Sequence, residues 1–161
     1  MLLERKLFSL IFIFCFAALS TALVSQHVFS LMPCAWCVMQ RLIYVLIGLI
    51  AAGLALIPCK KWPVTIGGIA LIVLSFSGIA AAWYQTHYAA KAFSCNLGFA
   101  DKLMINTGLD AALPSVFGIF ASCADAVVNI MGLDYSSWSL LLFGVLGSIA
   151  TIITVRSVRA T

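Results

Sequence analysis

Four long apolar runs, residues 7–24, 38–57, 64–84 and 138–155, leave this chain few folds to choose from. Each is close to the ~20 residues that an α-helix needs to cross a hydrocarbon core ~30 Å thick. Inside lipid, backbone polar groups must be satisfied within the bundle itself, so runs of this length form helices rather than open strands. The 161 residues accommodate those four crossings, a short segment at 25–37 and one long loop at 85–137, which leaves no room for a separate soluble domain. Only 9% of the chain is charged, against about a quarter in ordinary soluble domains. The sequence predicts an all-α membrane protein, a single domain built as a four-transmembrane-helix bundle.

The net charge of +4 could suggest an acidic partner, but its placement points elsewhere. Arg5, Lys6, Lys60, Lys61, Arg156 and Arg159 all flank apolar runs, whereas Asp101, Asp110, Asp125 and Asp134 fall in the long loop. Basic residues mark cytoplasmic ends, so this pattern reads as topology and not as nucleic-acid binding. Both termini and the turn around Pro58-Cys59-Lys60-Lys61-Trp62-Pro63 are expected in the cytoplasm, with residues 25–37 and 85–137 on the outer side. A cleavable leader competes for the first run, given its basic start and Ser20-Thr21-Ala22. The run exceeds the roughly 7 to 15 residues of a signal core, which favours a membrane anchor.

Topology also sorts the six cysteines. Cys15 lies within the first helix and Cys59 at the inner end of the second, and both read as packing residues. Cys34, Cys37, Cys95 and Cys123 fall on the oxidising side, where disulfides persist. They make two pairs by arithmetic, one vicinal and one spanning most of the loop. Structural disulfides are one account of them, and a four-thiolate zinc site is another, although the second pair lacks the short ligand spacing common in such sites. Redox chemistry is a third. A C-x-x-C ring contributes little as a staple, and unsatisfied N–H groups at a helix start favour a thiolate. Ser122 with Asp125 three residues on, followed by Ala124, Val127, Val128 and Met131 at helical spacing, predicts a short amphipathic interfacial helix with Cys123 in its first turn.

Arg41 follows Cys37 by four residues and Cys34 by seven, so the three share one helical face. An arginine at the outer end of a membrane helix runs against the positive-inside bias and calls for a local reason. It can snorkel to headgroups, or it can stabilise a Cys37 thiolate and donate hydrogen bonds to a carbonyl carrier such as a quinone. His27 and His87 sit near the same membrane level as interfacial polar residues or proton donors.

Pro33-Cys34-x-x-Cys37-x-x-x-Arg41 at the outer end of the second helix, Gln26-His27-Val28 just upstream, Cys95 and Cys123 in one loop, and Met131-Gly132-Leu133-Asp134 leading to Trp138 together resemble the disulfide bond formation protein B (DsbB) family. The similarity covers essentially the whole chain. It implies a bacterial inner-membrane oxidase that regenerates a periplasmic thioredoxin-fold dithiol oxidase (DsbA-like) and passes the electrons to a quinone, ubiquinone or menaquinone. The resemblance further implies a Cys95–Cys123 disulfide that the reduced partner attacks at Cys95, with Cys34 and Cys37 reoxidising that pair. Cys37 would be the thiolate facing the quinone beside Arg41, and His87 is the candidate for a quinone-side histidine. The alternatives are a quinone reductase of the vitamin K epoxide reductase type and a structural four-helix membrane protein with static disulfides.

Overall fold

The computed structural model describes residues 2–56, 61–91, 98–130 and 132–159. Four long helices carry the chain: α1 (Leu2–His27), α2 (Ala35–Leu56), α3 (Lys61–His87) and, after the loop, a final helix (Tyr135–Arg159). All four are long and apolar enough to cross a membrane, so the protein is a multi-pass membrane protein with the all-α bundle fold that its hydropathy demands. Each helix extends a few residues beyond its apolar run, because helical hydrogen bonding does not stop where hydropathy falls. Pro63 is accommodated in the first turn of α3, where an amide donor has no helical acceptor to lose.

The loop packs as a compact cap. A 3-10 turn at Ala89–Lys91 leads toward α4 (Phe99–Thr107), α5 (Leu109–Ala112) and α6 (Pro114–Phe117). The α4 helix starts at Gly98, whose N–H donates to Asp101 Oδ2 at 2.9 Å, and it buries Ala100 and Met104. It ends at Gly108, whose φ of 67° is the left-handed conformation that glycine adopts without a Cβ penalty. This helix at 99–107 is one that the sequence reading did not place. The amphipathic helix expected from Ser122 onward does not form; only its first turn is present. The Ser122 hydroxyl donates to Asp125 Oδ2 at 2.6 Å and Ala126 N–H donates to Ser122 O, but the turn ends there. The β-branched Val127 and Val128 run instead into an antiparallel ribbon that pairs Asn129 with Asp134 and Ile130 with Leu133. Gly132, at φ 84°, turns that ribbon, and Met131 lies outside the described residues. The last long helix, α7 (Tyr135–Arg159), follows directly.

Small residues let the helices approach closely, the usual basis of packing in lipid. Cys15 is buried on α1, with its Cβ against Gly48 of α2, which agrees with its reading as a packing residue. Cys59 lies outside the described residues. On the other side of the bundle Gly78 of α3 accepts the ring of Phe143 from α7. A Cβ at Gly78 would stand 2.5 Å from that ring, which is fully buried and stacked on Tyr44 at 4.2 Å between centroids. Because the ring cannot retreat, Gly78→Ala should destabilise the detergent-solubilised protein by about 1–3 kcal/mol. Thermal unfolding checks this, with Gly144→Ala, where nothing lies within 4 Å, as the silent control.

Candidate thiol-disulfide active site

Cys34 stands at the N-terminal edge of α2, with its carbonyl accepting the first helical bond from Val38 N–H. Cys37, one turn on, brings its Sγ to 3.2 Å from Cys34 Sγ, in contact as a dithiol. Cys34 is fully buried, whereas Cys37 is half-buried and opens onto a cavity between α1, α2 and α7.

The loop completes the cluster. Phe120 and Ala121 both donate their N–H groups to Pro33 O, at 3.0 and 3.3 Å, which straps residues 120–121 to the residue before Cys34. Two residues later the Cys123 thiol lies within electrostatic reach of the Cys34 sulfur. Three of the four outer cysteines therefore meet, with Cys34 in the middle and free thiols at all three. Cys95 lies outside the described residues, and so does the pairing of Cys95 with Cys123 expected from the resemblance. The neighbouring Cys123 and Cys37 thiols together with burial hold the Cys34 thiol well above the usual thiol range. The neighbouring Cys34 thiol in turn lowers the Cys123 thiol despite partial burial. The cluster is thus polarised, with the Cys123 thiol shifted downward and the Cys34 thiol shifted upward.

Arg41 is buried, with 6% of its surface exposed, and does not snorkel. Its Nη1 donates to Gln26 Oε1 at 2.6 Å and to Val116 O at 2.8 Å, and its Nη2 to Ala22 O at 3.3 Å. One guanidinium thus joins α1, α2 and the loop while lying within electrostatic reach of Cys37. His27 supports the same junction by donating from Nε2 to Ser115 O at 3.0 Å. His87 is elsewhere. Its ring is exposed, stacked on Trp83 at 3.9 Å and bonded through Nδ1 to Trp83 O, and it is absent from the cavity wall. The residue of α3 that faces the sulfurs is Gln85, two positions earlier, because a helix turns about 200° over two residues.

Gln85 and Gln40 are the site residues that the motif did not announce. Gln85 Nε2 donates to Cys37 Sγ at 3.0 Å, and Gln40 Nε2 donates to Gln85 Oε1 at 2.7 Å. A signal for them existed, since Gln26, Gln40 and Gln85 are buried carboxamides in membrane helices, where an unpaired polar group is costly. The cavity has a volume of about 630 Å³ and presents Cys37, Arg41, Gln40 and Gln85 among walls that include Phe14, Leu142 and Val145. Its size is that of a small-ligand pocket, apolar with a few convergent polar groups.

A membrane-embedded helix bundle that carries a C-x-x-C dithiol, with a third thiol delivered from a loop, defines a membrane thiol-disulfide oxidoreductase. Comparison makes the class particular. The family model for disulfide bond formation protein DsbB matches residues 4–153, and this chain belongs to the DsbB family. It is similar to disulfide bond formation protein B of Polaromonas naphthalenivorans, 32% identical with 96% of this chain and 93% of that one covered. It is likewise similar to the proteins of the same name from Verminephrobacter eiseniae, 32% identical over 96% and 88% of the two chains, and Azoarcus sp., 32% identical over 88% and 86%. The protein is a disulfide-forming membrane oxidoreductase, and nothing favours the vitamin K epoxide reductase or purely structural alternatives.

Proposed function

We propose that this protein reoxidises a periplasmic DsbA-like dithiol oxidase and delivers the electrons, through Cys95/Cys123 and then Cys34/Cys37, to a membrane quinone. The observation that carries this reading is the contact of Cys34 with Cys37 beside an apolar cavity, together with the main-chain strap from Phe120 and Ala121 to Pro33 that brings the Cys123 segment alongside Cys34. With Cys34 and Cys37 oxidised, a Cys123 thiolate released by the partner reaction attacks Cys34 Sγ. The Cys34–Cys37 bond breaks, a Cys34–Cys123 bond forms, and the electron pair leaves on Cys37. The partner's second thiol resolves its mixed disulfide with Cys95 and leaves as the oxidised partner; the freed Cys95 then attacks Cys123 and releases Cys34, so the loop pair is restored and the helix pair is left reduced. Closing Cys34–Cys37 again releases two electrons, and the two protons given up by the partner dithiol over the whole sequence balance the two needed for reduction of a quinone to a quinol.

A quinone bound in the cavity supplies the sink, accepting two electrons and two protons. The residues present fit such a group. The cavity is apolar enough for a lipid-soluble ring, and Arg41 is the cation beside Cys37. The sink is needed energetically, because a DsbA-type partner is itself an oxidant near about −120 mV and its regeneration requires a higher-potential acceptor. The inner-membrane setting, with cytoplasmic termini and periplasmic cysteines, follows from the flanking basic residues and from this chemistry.

The test is quinone reduction by the detergent-purified protein on addition of a reduced DsbA-type partner, followed by quinone absorbance with ubiquinone and menaquinone analogues in turn. Stoichiometric loss of partner thiols and quinone is the expected result. Folded protein that turns over with neither quinone would overturn the reading.

A further inference from the structure

Two amides lie against the reacting sulfurs, and the motif chemistry accounts for neither. Gln85 is 7% exposed and Gln40 5%, so both carboxamides are withdrawn from water and lipid and depend on the partners that the fold provides. Gln85 spends its donor on sulfur: Nε2 lies 3.0 Å from Cys37 Sγ and 3.6 Å from Cys34 Sγ. A neutral thiol is a poor acceptor, whereas a thiolate is a strong one, so this bond strengthens when charge develops on Cys37. The orientation of that amide is not left to chance. Gln40, one turn beyond Cys37 on α2, donates its Nε2 to Gln85 Oε1 at 2.7 Å. Turning Gln85 over would set donor against donor at Gln40 and an acceptor oxygen against the sulfur.

We propose that Gln85 is a catalytic hydrogen-bond donor to Cys37, that Gln40 is the positioning residue that holds it in donor orientation, and that the pair sets the redox equilibrium of Cys34/Cys37. This rests on the functional reading above and extends it to the exchange step. When Cys123 attacks Cys34, the S–S bond breaks and the electron pair departs on Cys37, the sulfur that Gln85 contacts more closely. The bond also gives direction. Cys37 is the better leaving group of the two helix sulfurs, so attack at Cys34 is the productive one and the charge emerges on the cavity side. Stabilising the reduced form makes the disulfide a stronger oxidant, which is what regenerating an oxidising partner requires.

The experiment measures the equilibrium of the helix pair with glutathione at pH 7 (disulfide plus two thiols giving dithiol plus oxidised glutathione). It uses the full-length chain in detergent with Cys95 and Cys123 both replaced by alanine, so that the readout needs neither quinone nor partner. Alkylation and intact mass give the oxidised fraction. Gln85→Met should move the equilibrium about tenfold toward the disulfide, a potential lower by about 30 mV. Gln40→Met should move it the same way by less, because the donor is still present but no longer held. Near-isosteric Gln85→Glu should move it further, through repulsion between carboxylate and thiolate, with the shift diminishing as pH falls and the carboxyl protonates. Circular dichroism and thermal unfolding identify the variants that retain the bundle. Equilibria within twofold of the parent in the folded Gln85 variants would overturn the inference alone. A parent protein whose helix cysteines form no reversible disulfide would overturn the functional reading and this inference with it.

Discussion

Cys37→Ser is expected to lose thiol-driven quinone reduction by at least roughly 10³-fold, the scale on which removing a reacting group acts. A hydroxyl cannot form the Cys34–Cys37 disulfide, so neither the electrons nor the ring they close have a route to the cavity. The fold should survive, since serine fills nearly the same volume at a half-buried position and can still accept from Gln85. The second consequence is more telling. Among the described residues Cys34 then has one sulfur neighbour left, Cys123, whose segment is held there by the Phe120 and Ala121 bonds to Pro33 O. The variant should therefore accumulate a Cys34–Cys123 disulfide under mild oxidant, visible as a crosslinked peptide after proteolysis without reductant. The pH dependence has a definite sign. Because the Cys34 thiol neighbours it, Cys123 titrates below the ordinary thiol range, so it should be alkylated at a lower pH than Cys34, whose thiol is held well above that range. Turnover in Cys37→Ser near the wild-type rate would remove Cys37 from the electron path.

The cysteine neighbourhood illustrates what a sequence of this kind discloses. The four helices are legible because lipid imposes their length and their internal hydrogen bonding, and the C-x-x-C with Arg41 is legible because all three positions lie on one helical face. Contacts that depend on how the loop returns are not. Cys123 is separated from Cys34 by most of the chain, and what unites them is a pair of main-chain bonds to Pro33 O that no side-chain pattern encodes. The Ser122 turn fails to extend for a similar reason, since the capping signal is real but the ribbon at Asn129–Asp134 competes for the residues that follow. His87 is a matter of two residues. The end of α3 faces the sulfurs, but the helical register gives that place to Gln85 and turns the imidazole onto Trp83.

Arg41 carries the other large expected effect, and it has two parts that different substitutions separate. Of the two readings that the sequence offers for this side chain, headgroup contact or thiolate partner, burial removes the first, and the hydrogen bonds add a structural role to the second. Three acceptors from two other parts of the chain, Gln26 Oε1, Ala22 O and Val116 O, close on one guanidinium. In Arg41→Met these acceptors lose a charged donor at the price of about 1–3 kcal/mol for each that stays dry, so a loss of roughly 3 kcal/mol in stability is expected. The loop should loosen first, because Val116 O ties it to α2, and limited proteolysis within residues 98–130 reports that loosening. Turnover should fall by roughly 10²–10³-fold, through loss of both the cation beside Cys37 and the register that brings Cys123 to Cys34. Arg41→Lys keeps a cation without the planar fork that reaches three acceptors. It should recover part of the turnover with a loop as protease-sensitive as that of the methionine variant. Equal proteolysis and equal turnover in wild type and Arg41→Met would deny both parts, whereas a lysine variant that keeps the loop loose and recovers no turnover would leave the clamp and remove the charge from the mechanism.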